Sequence, residues 1–483
     1  MALQHPCNAM ASLLLVIIAP VFTPMIAQMA FAQDEPLILD DNVSFDADFG
    51  FDDTLFADGF ADEYAADSAS WLDNFTIRLS QQISGQVNSH SIPVAPGFSL
   101  PREAETETNR FGINARYQNA FAPGWLLQAS GQARVYWKED YEYKANDDQI
   151  ETEFRVNEFF VQRSGGQHSI KFGRQTVVWG ETVGNSVLDS INTSEFRDLT
   201  IIDIEDARLN QWLLVWDYFG EDSNFSTFLN LYPEFNPPAV RGSPFFFEPA
   251  FNLTDYDRND ELLFEIGTQW RKSFEGSDIA FMAAYLYENQ LRYEDPASGF
   301  GDAVGKKNDF LLLGFSANRA IGKLLLNFDL AFKHGVLADS FNFPGTASLS
   351  TPLDLTKDQI GTSFGFEYAI SNDQNISVGL QAQKLLDEKA GLLPGQSLLN
   401  EGVVGSWLVR YSNSMKNGDL VLSSTAQGDL NAESLLFLLG ADYTFNDNWS
   451  VNGQIISITA SSGSPLLFFG EDLRVGVTLT YAF

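Results

Sequence analysis

Residues 475–483 read Val475-Gly476-Val477-Thr478-Leu479-Thr480-Tyr481-Ala482-Phe483. Val475, Val477, Leu479, Tyr481 and Phe483 alternate with Gly476, Thr478, Thr480 and Ala482. Successive side chains of a strand point to opposite faces, so one face of this strand is apolar and aromatic and the other is small and polar. The same period recurs upstream. Phe75, Ile77 and Leu79 alternate with Thr76, Arg78 and Ser80. Leu127, Ala129, Gly131, Ala133, Val135 and Trp137 alternate with Gln128, Ser130, Gln132, Arg134 and Tyr136. Leu324, Leu326, Phe328, Leu330 and Phe332 alternate with Leu325, Asn327, Asp329, Ala331 and Lys333, and Ile376, Val378 and Leu380 with Ser377, Gly379 and Gln381. These segments run to about ten to fourteen residues, whereas strands of soluble sandwiches are nearer five or six. An apolar outer face and a polar inner face over such a length is what a barrel in lipid requires.

The connections carry the second half of the argument. Tight-turn chemistry falls at residues 122–124, 164–167, 220–223, 276–277, 321–322, 372–373, 416–418 and 446–448. Between these lie mostly longer polar segments at 89–107, 139–150, 181–207, 234–260, 294–308, 337–358 and 387–400, and two short ones near 429–431 and 461–465. Turns and long connections alternate as periplasmic turns and extracellular loops do, and the count predicts an all-β, transmembrane, antiparallel up-and-down barrel of about 18 strands (16–18). The outer membrane of a Gram-negative bacterium is the membrane that holds such barrels, with outer-membrane lipid and lipopolysaccharide as surroundings. The terminal strand then reads as the assembly signal, Tyr481 and Phe483, that barrel-assembly machinery captures by strand addition.

Three regions follow along the chain. Residues 1–32 read as a signal peptide. The apolar stretch 11–21 is too short to span a bilayer, and Ala30-Phe31-Ala32 fits small-x-small cleavage before Gln33, although the start lacks Lys and Arg. Cys7, the single cysteine, precedes that stretch, so the mature chain has no thiol for a disulfide, a metal or a nucleophile. Residues 33–70 hold twelve Asp or Glu and no Lys or Arg, with Phe45, Phe49, Phe51, Phe56 and Phe60 spaced through them. This composition predicts an acidic, disordered periplasmic segment; the sharper reading is a docking peptide for a partner or for the barrel mouth. Residues 71–483 are the barrel.

Net charge is −35, from 29 basic and 64 acidic residues, which removes the basic footprint that nucleic-acid binding needs. Aromatics reach 13% with 41 Phe, as expected of a barrel with aromatic girdles. No apolar run after residue 32 is long enough for a transmembrane helix.

One segment is distinctive: Phe172-Gly173-Arg174-Gln175-Thr176-Val177-Val178-Trp179-Gly180-Glu181, continuing through Val187-Leu188-Asp189-Ser190-Ile191-Asn192 to Phe196-Arg197-Asp198. This run resembles a family of Gram-negative outer-membrane barrels, catalogued as a domain of unknown function, that share a GRQ, WG, LD, N, R pattern and are often encoded beside RND-superfamily exporters. Thr193 stands after Asn192 where the pattern has proline, and the chain is shorter than many members. The resemblance implies an export or uptake conduit, paired with a periplasmic or inner-membrane exporter component.

The same segment opens the third long outer connection. In porin-like barrels that loop often folds inward, and charges at a narrow place set ion preference. Arg174, Trp179, Glu181, Asp189, Glu195, Arg197, Asp198 and Arg208 are therefore the candidate constriction residues; the plainer reading is that Arg174, Trp179, Asp189 and Arg197 only pin the loop. Arg78, Arg116, Arg134 and Arg155 fall on inward faces and form a candidate guide for anions, unless they pair with lumen acids such as Glu265 or Glu367. A bulge near Glu158 or Gly173 would shift this parity. Leu263, Leu286, Leu325, Leu436, Leu438 and Ile456 are apolar at lumen positions, either lining a path or packing against an inward segment. His90, His168 and His334 lie in no nucleophile setting and no G-x-S-x-G elbow occurs, so the reading is not enzymatic and implies no catalytic residue, metal or cofactor. The expectation is a porin-like conduit for solutes; a surface adhesin or closed structural barrel is the alternative.

Overall fold

The computed structural model describes residues 74–95, 98–137, 140, 151–182, 186–195, 208–237, 252–254, 261–294, 302–337, 356–386, 403–430, 434–460 and 469–483. The predicted signal peptide and acidic segment lie outside these residues. Eighteen antiparallel strands form one sheet. In chain order they are β1 (Phe75–Gln86), β2 (Glu105–Ala122), β3 (Trp125–Tyr136), β4 (Glu151–Gly165), β5 (His168–Gln175), β6 (Gln211–Phe219), β7 (Ser223–Asn230), β8 (Glu265–Phe274) and β9 (Ser277–Tyr287). There follow β10 (Asp309–Ile321), β11 (Leu324–Leu337), β12 (Thr356–Ser371), β13 (Gln374–Leu385), β14 (Val403–Met415), β15 (Leu420–Asp429), β16 (Ser434–Thr444), β17 (Trp449–Ala460) and β18 (Leu473–Ala482).

Each strand pairs with its chain neighbours, and β1 pairs with both β2 and β18, so the sheet closes and has no edge. Closure is the condition for a sheet in lipid, where an unpaired backbone group has no water to turn to. Tight turns join β2 to β3, β4 to β5 and each later alternate pair at one end, while all the long connections leave the other end. Both chain ends of the barrel sit on the tight-turn side.

The side-chain period sorts the two faces as the alternation predicts. Along β6, Gln211, Leu213, Val215 and Asp217 are buried while Trp212, Leu214 and Trp216 are exposed. Phe154, Phe172, Phe281 and Leu313 are likewise exposed on the outer surface, an arrangement with a physical rationale only if lipid covers it. The register shifts on β4 between the pairs Gly131↔Val156 and Ala129↔Phe159, which is the bulge expected near Glu158. Beyond it Glu158 again faces inward and accepts a hydrogen bond from Gln128. Gly173 has φ +140, and a Cβ there would lie 2.1 Å from the Phe159 carbonyl oxygen. Only glycine fits that place, which explains the first residue of the GRQ pattern.

Smaller paired segments decorate the long-loop end. His90–Ala95 pairs with Phe98–Arg102, and Thr193–Ser194 pairs with Arg208–Leu209.

Candidate functional site

The connection after β5 does not leave the barrel at once. Residues 176–182 and 186–195 turn back into the lumen and pack on the inward faces of the wall. Their apolar side chains Trp179, Val187, Leu188 and Ile191 are buried in one cluster with Leu213, Val215, Phe228, Met282, Leu286 and Leu312 from β6, β7, β9 and β10. A lumen is usually polar, so a file of apolar inward residues from β6 to β11 is itself a signal that something apolar covers it. Trp179 stacks edge-on against Phe228 at 5.5 Å and lies over Gly267, where a Cβ would be 2.7 Å from its ring. Leu188 fills the space over Gly314 and Val187 that over Gly361. Three wall glycines on β8, β10 and β12 thus form the seat of the loop.

Polar contacts fix the same path. The Asp329 carboxylate, fully buried on β11, accepts the Thr182 hydroxyl at 2.6 Å, the Thr182 amide at 3.1 Å and the Glu181 amide at 3.2 Å, with Ser316 at 2.6 Å. Gly180 comes so close to Asp329 and Ser186 that a Cβ is excluded, and its φ is +95. Glu181 pairs with Arg271 at 3.0 Å and accepts a hydrogen bond from Asn318. Burial pushes the Glu181 carboxyl above its usual range, Arg271 and Asn318 pull it back, and Asp278 and Asp329 add to the rise. The Val187 amide donates to Ser363 Oγ at 3.0 Å, and Lys333 Nζ donates to Ser190 Oγ at 2.9 Å. Asn192 closes the base of the loop by accepting from the Val177 amide at 3.1 Å and donating to the Val177 carbonyl at 2.8 Å. Glu195 meets Arg155 of β4 at 2.6 Å, and Arg208 meets Asp189 at 3.1 Å.

Of the candidate constriction residues, Trp179, Glu181, Asp189 and Glu195 belong to this inward segment, and Arg208 reaches it through Asp189. Arg174 does not. It stands two positions after the outward Phe172 on the same face, pairs in register with the outward Trp212, and so lies on the outer face, where its guanidinium holds Glu234 at 2.6 and 2.9 Å. Arg197 and Asp198 lie outside the described residues. The residues that sequence reasoning did not single out are the wall partners Asp329, Arg271, Asn318 and Ser363. Asp329 and Asn327 carried the available signal, as polar members of an inward set that also holds Leu325 and Ala331.

The four inward arginines separate into two kinds. Arg155 is tied to Glu195 and to Glu153, the latter at 3.4 Å. Arg134 lies in register with Gly112 and Glu153. Arg78 and Arg116 are exposed to the lumen, and neither makes an ion pair among the described residues. Glu265 instead accepts from Asn230 at 2.9 Å and from the Tyr287 amide at 3.0 Å, and Glu367 accepts from Asn327 at 3.2 Å. Among the apolar lumen positions, Leu286 packs in the loop cluster, while Leu263, Leu438 and Ile456 are buried. A further ionic cluster went unread: Asp472 holds His90 at 3.2 Å, Arg102 at 3.0 Å and Arg474 at 2.8 Å, and Glu107 holds Arg474 at 2.8 Å. It stitches the paired segments His90–Ala95 and Phe98–Arg102 to β2 and β18 at the long-loop end.

The architecture recurs in solved barrels. OccAB1 of Acinetobacter baumannii is 9% identical, with a TM-score of 0.50 over 85% of this chain and 96% of that one. The outer membrane protein OpdK of Pseudomonas aeruginosa is 10% identical, with a TM-score of 0.47 over 85% and 99%, and OccK8 (OprE) of the same organism is 11% identical, with 0.47 over 86% and 99%. The chain is an outer-membrane β-barrel of porin architecture. At these identities the likeness concerns the fold. No family model matches the sequence, and no curated protein does. Within that architecture, the inward segment and the exposed Arg78 and Arg116 are the features of the lumen on which a functional reading can be built.

Proposed function

We propose that this barrel is a channel for the passage of small solutes across the outer membrane, narrowed by its third long connection. The observation that carries the reading is the path of residues 176–182 and 186–195: held by Asp329, Ser363 and Gly314, these parts of the loop lie inside the barrel along the wall from β6 to β12. A loop held inside a barrel reduces its cross-section, and charge beside a narrow place sets ion preference. The β1–β2 wall supplies positive charge through Arg78 and Arg116, while Arg155 is compensated by Glu195. Solutes bearing a carboxylate or another anion are favoured by that wall. The GRQ-WG-LD-N run also supports membership in the barrel family encoded beside RND-superfamily exporters, and with it a role as the outer-membrane leg of an export route.

Conductance of the refolded mature chain in planar bilayers tests the channel. Stable open steps are expected, and removal of residues 182–206 is expected to enlarge them and change their ion selectivity. Heat-modifiable migration establishes that each variant has folded. A folded barrel that stays silent with and without the loop would favour the adhesin or structural reading.

A further inference from the structure

Behind the seat of the loop, the outer side of the wall has a depression. Two register rows cross it. The lower row runs Thr227, Thr268, Ala283, Leu313 and Phe332 from β7 to β11, and the upper one Ile266, Tyr285, Leu311 and His334 from β8 to β11. Beneath them lies a row of large rings, Phe225, Trp270, Phe281 and Phe315, with Trp270 and Phe281 at 6.0 Å and Phe281 and Phe315 at 5.1 Å. The short side chains of Thr227, Thr268 and Ala283 therefore leave a groove between those rings and the upper row. Its volume is about 540 Å³, within the roughly 300–1,000 Å³ of small-molecule sites. Thr227 donates to the Thr268 hydroxyl and Thr268 to the Ser226 carbonyl, each at 3.2 Å. Both hydroxyl protons are spent within the wall, so the groove is apolar in spite of its threonines.

Its position says what covers it. β9 rises from the tight turn at Ser277. At about 3.4 Å per residue and a tilt of about 40°, Ala283 stands about 15 Å and Tyr285 about 20 Å above that turn. The apolar band of such a barrel is about 25 Å tall, so the groove opens in the half nearer the long loops, which is the outer leaflet. Leu311 and Leu313 flank it, both exposed, and make it continuous with the lipid-covered wall. At its upper end the His334 Nδ1 lies 2.6 Å from Asp358 Oδ1, and the rest of the ring is exposed. A hydrocarbon chain laid in the groove thus meets polar groups where its headgroup begins. Lipid tails are as apolar as leucine, so retention in a membrane comes from close packing. A concave wall packs around a chain on several sides, where a convex one touches it on one.

We infer that this groove holds one acyl chain of an outer-leaflet glycolipid, the lipid A of lipopolysaccharide, with His334 and Asp358 at its headgroup. The inference rests on the place of the barrel in the outer membrane and is independent of the channel reading.

Native mass spectrometry of the full mature chain tests this, with the delipidated barrel offered lipid A or phosphatidylethanolamine at equal concentration in detergent. One lipid A per barrel is expected to be retained under activation that strips phosphatidylethanolamine. Ala283→Phe fills the groove from its floor and is expected to lower lipid A retention several-fold. Leu313→Ala removes one side of the groove without filling it and is expected to do the same, which decides the matter even if Ala283→Phe fails to fold. Ser457 on β17 pairs in register with Phe437 and Leu473 on the outward face, away from the groove, and Ser457→Phe is expected to leave retention unchanged. All three positions face lipid and leave the loop contacts alone, and heat-modifiable migration reports an intact barrel. Retention that survives both groove variants overturns the inference. So does an equal loss in Ser457→Phe, the mark of a general lipid annulus. Equal retention of phosphatidylethanolamine overturns the assignment to a glycolipid.

Discussion

Asp329 and Thr182 lie 147 positions apart in the chain, yet the Thr182 hydroxyl and amide both donate to one Asp329 oxygen, at 2.6 and 3.1 Å. A carboxylate at an inward position of β11 therefore acts as the receptor for a loop that begins six strands earlier. The arrangement resembles a helix cap in its logic: backbone amides that the turn leaves without partners are met by a fixed charged acceptor. Asp329→Ala leaves the Glu181 and Thr182 amides buried without an acceptor, at a cost of about 1–3 kcal/mol for each. The expected outcome is a barrel of normal migration whose loop is released, read as faster proteolysis within residues 176–208 and noisier conductance. Unchanged protection of the loop would show that the apolar contacts alone hold it.

Those apolar contacts make their own prediction. Trp179 is 2% exposed, and its ring sits in the space left by Gly267 and against Phe228. Trp179→Ala empties that seat, and truncation of a buried aromatic costs about 3–5 kcal/mol. Because the seat is inside the lumen and the strand ladder is untouched, the loss is expected in the loop: the barrel keeps its thermal midpoint in detergent within a few degrees while the loop becomes protease-sensitive. A large fall in the barrel midpoint would mean that the loop braces the wall and is not merely attached to it.

The division between what was legible in the sequence and what was not follows from the physics of each feature. Period-two alternation is local and reports the two faces directly, so the eighteen strands, the turn ends and the inward set holding Arg78, Arg116 and Arg134 could be read from residues a few positions apart. The bulge at Glu158 was legible as a break in that period. Arg174 was not, because a charged residue at the rim of a strand is compatible with either face, and its partner Glu234 lies sixty positions on. The seat of the loop was illegible for the same reason of distance: Gly267, Gly314 and Gly361 mean nothing alone, and acquire their role only when Trp179, Leu188 and Val187 are laid across them.

Glu181 gives the loop a pH dependence with a definite sign. Burial raises its carboxyl above the usual range in the fold, so the native state holds this proton more tightly than the unfolded chain. Stability from this group is therefore fully present below the ordinary glutamate value of about 4.3 and is lost as pH rises through the elevated one. Glu181→Gln removes the titration. The denaturant midpoint of the native chain relative to the variant is expected to fall as pH rises from about 4 to neutrality. A difference that grows with pH would mean that the 3.0 Å pair with Arg271 outweighs burial.

The closing seam of the barrel supplies the last test. Ile77 and Phe483 exchange both backbone hydrogen bonds, each at 3.0 Å, and the Phe483 ring meets Tyr481 at 5.6 Å, which in turn meets Trp449 at 4.8 Å. Two roles are possible for the final residue. As a structural element it contributes two ladder bonds and some aromatic contact, about 1 kcal/mol per hydrogen bond net, a small share of a closed eighteen-strand wall. As an assembly signal it acts before the seam exists, when β18 is still a free edge. The roles separate because one concerns equilibrium and the other rate. Removing Phe483 is expected to lower the amount of folded barrel reaching the outer membrane several-fold, while the same variant refolded into detergent keeps a thermal midpoint close to that of the intact chain. An equal loss in both settings would assign Phe483 to the seam, and an equal tolerance in both would leave Tyr481 and the preceding alternation as the signal.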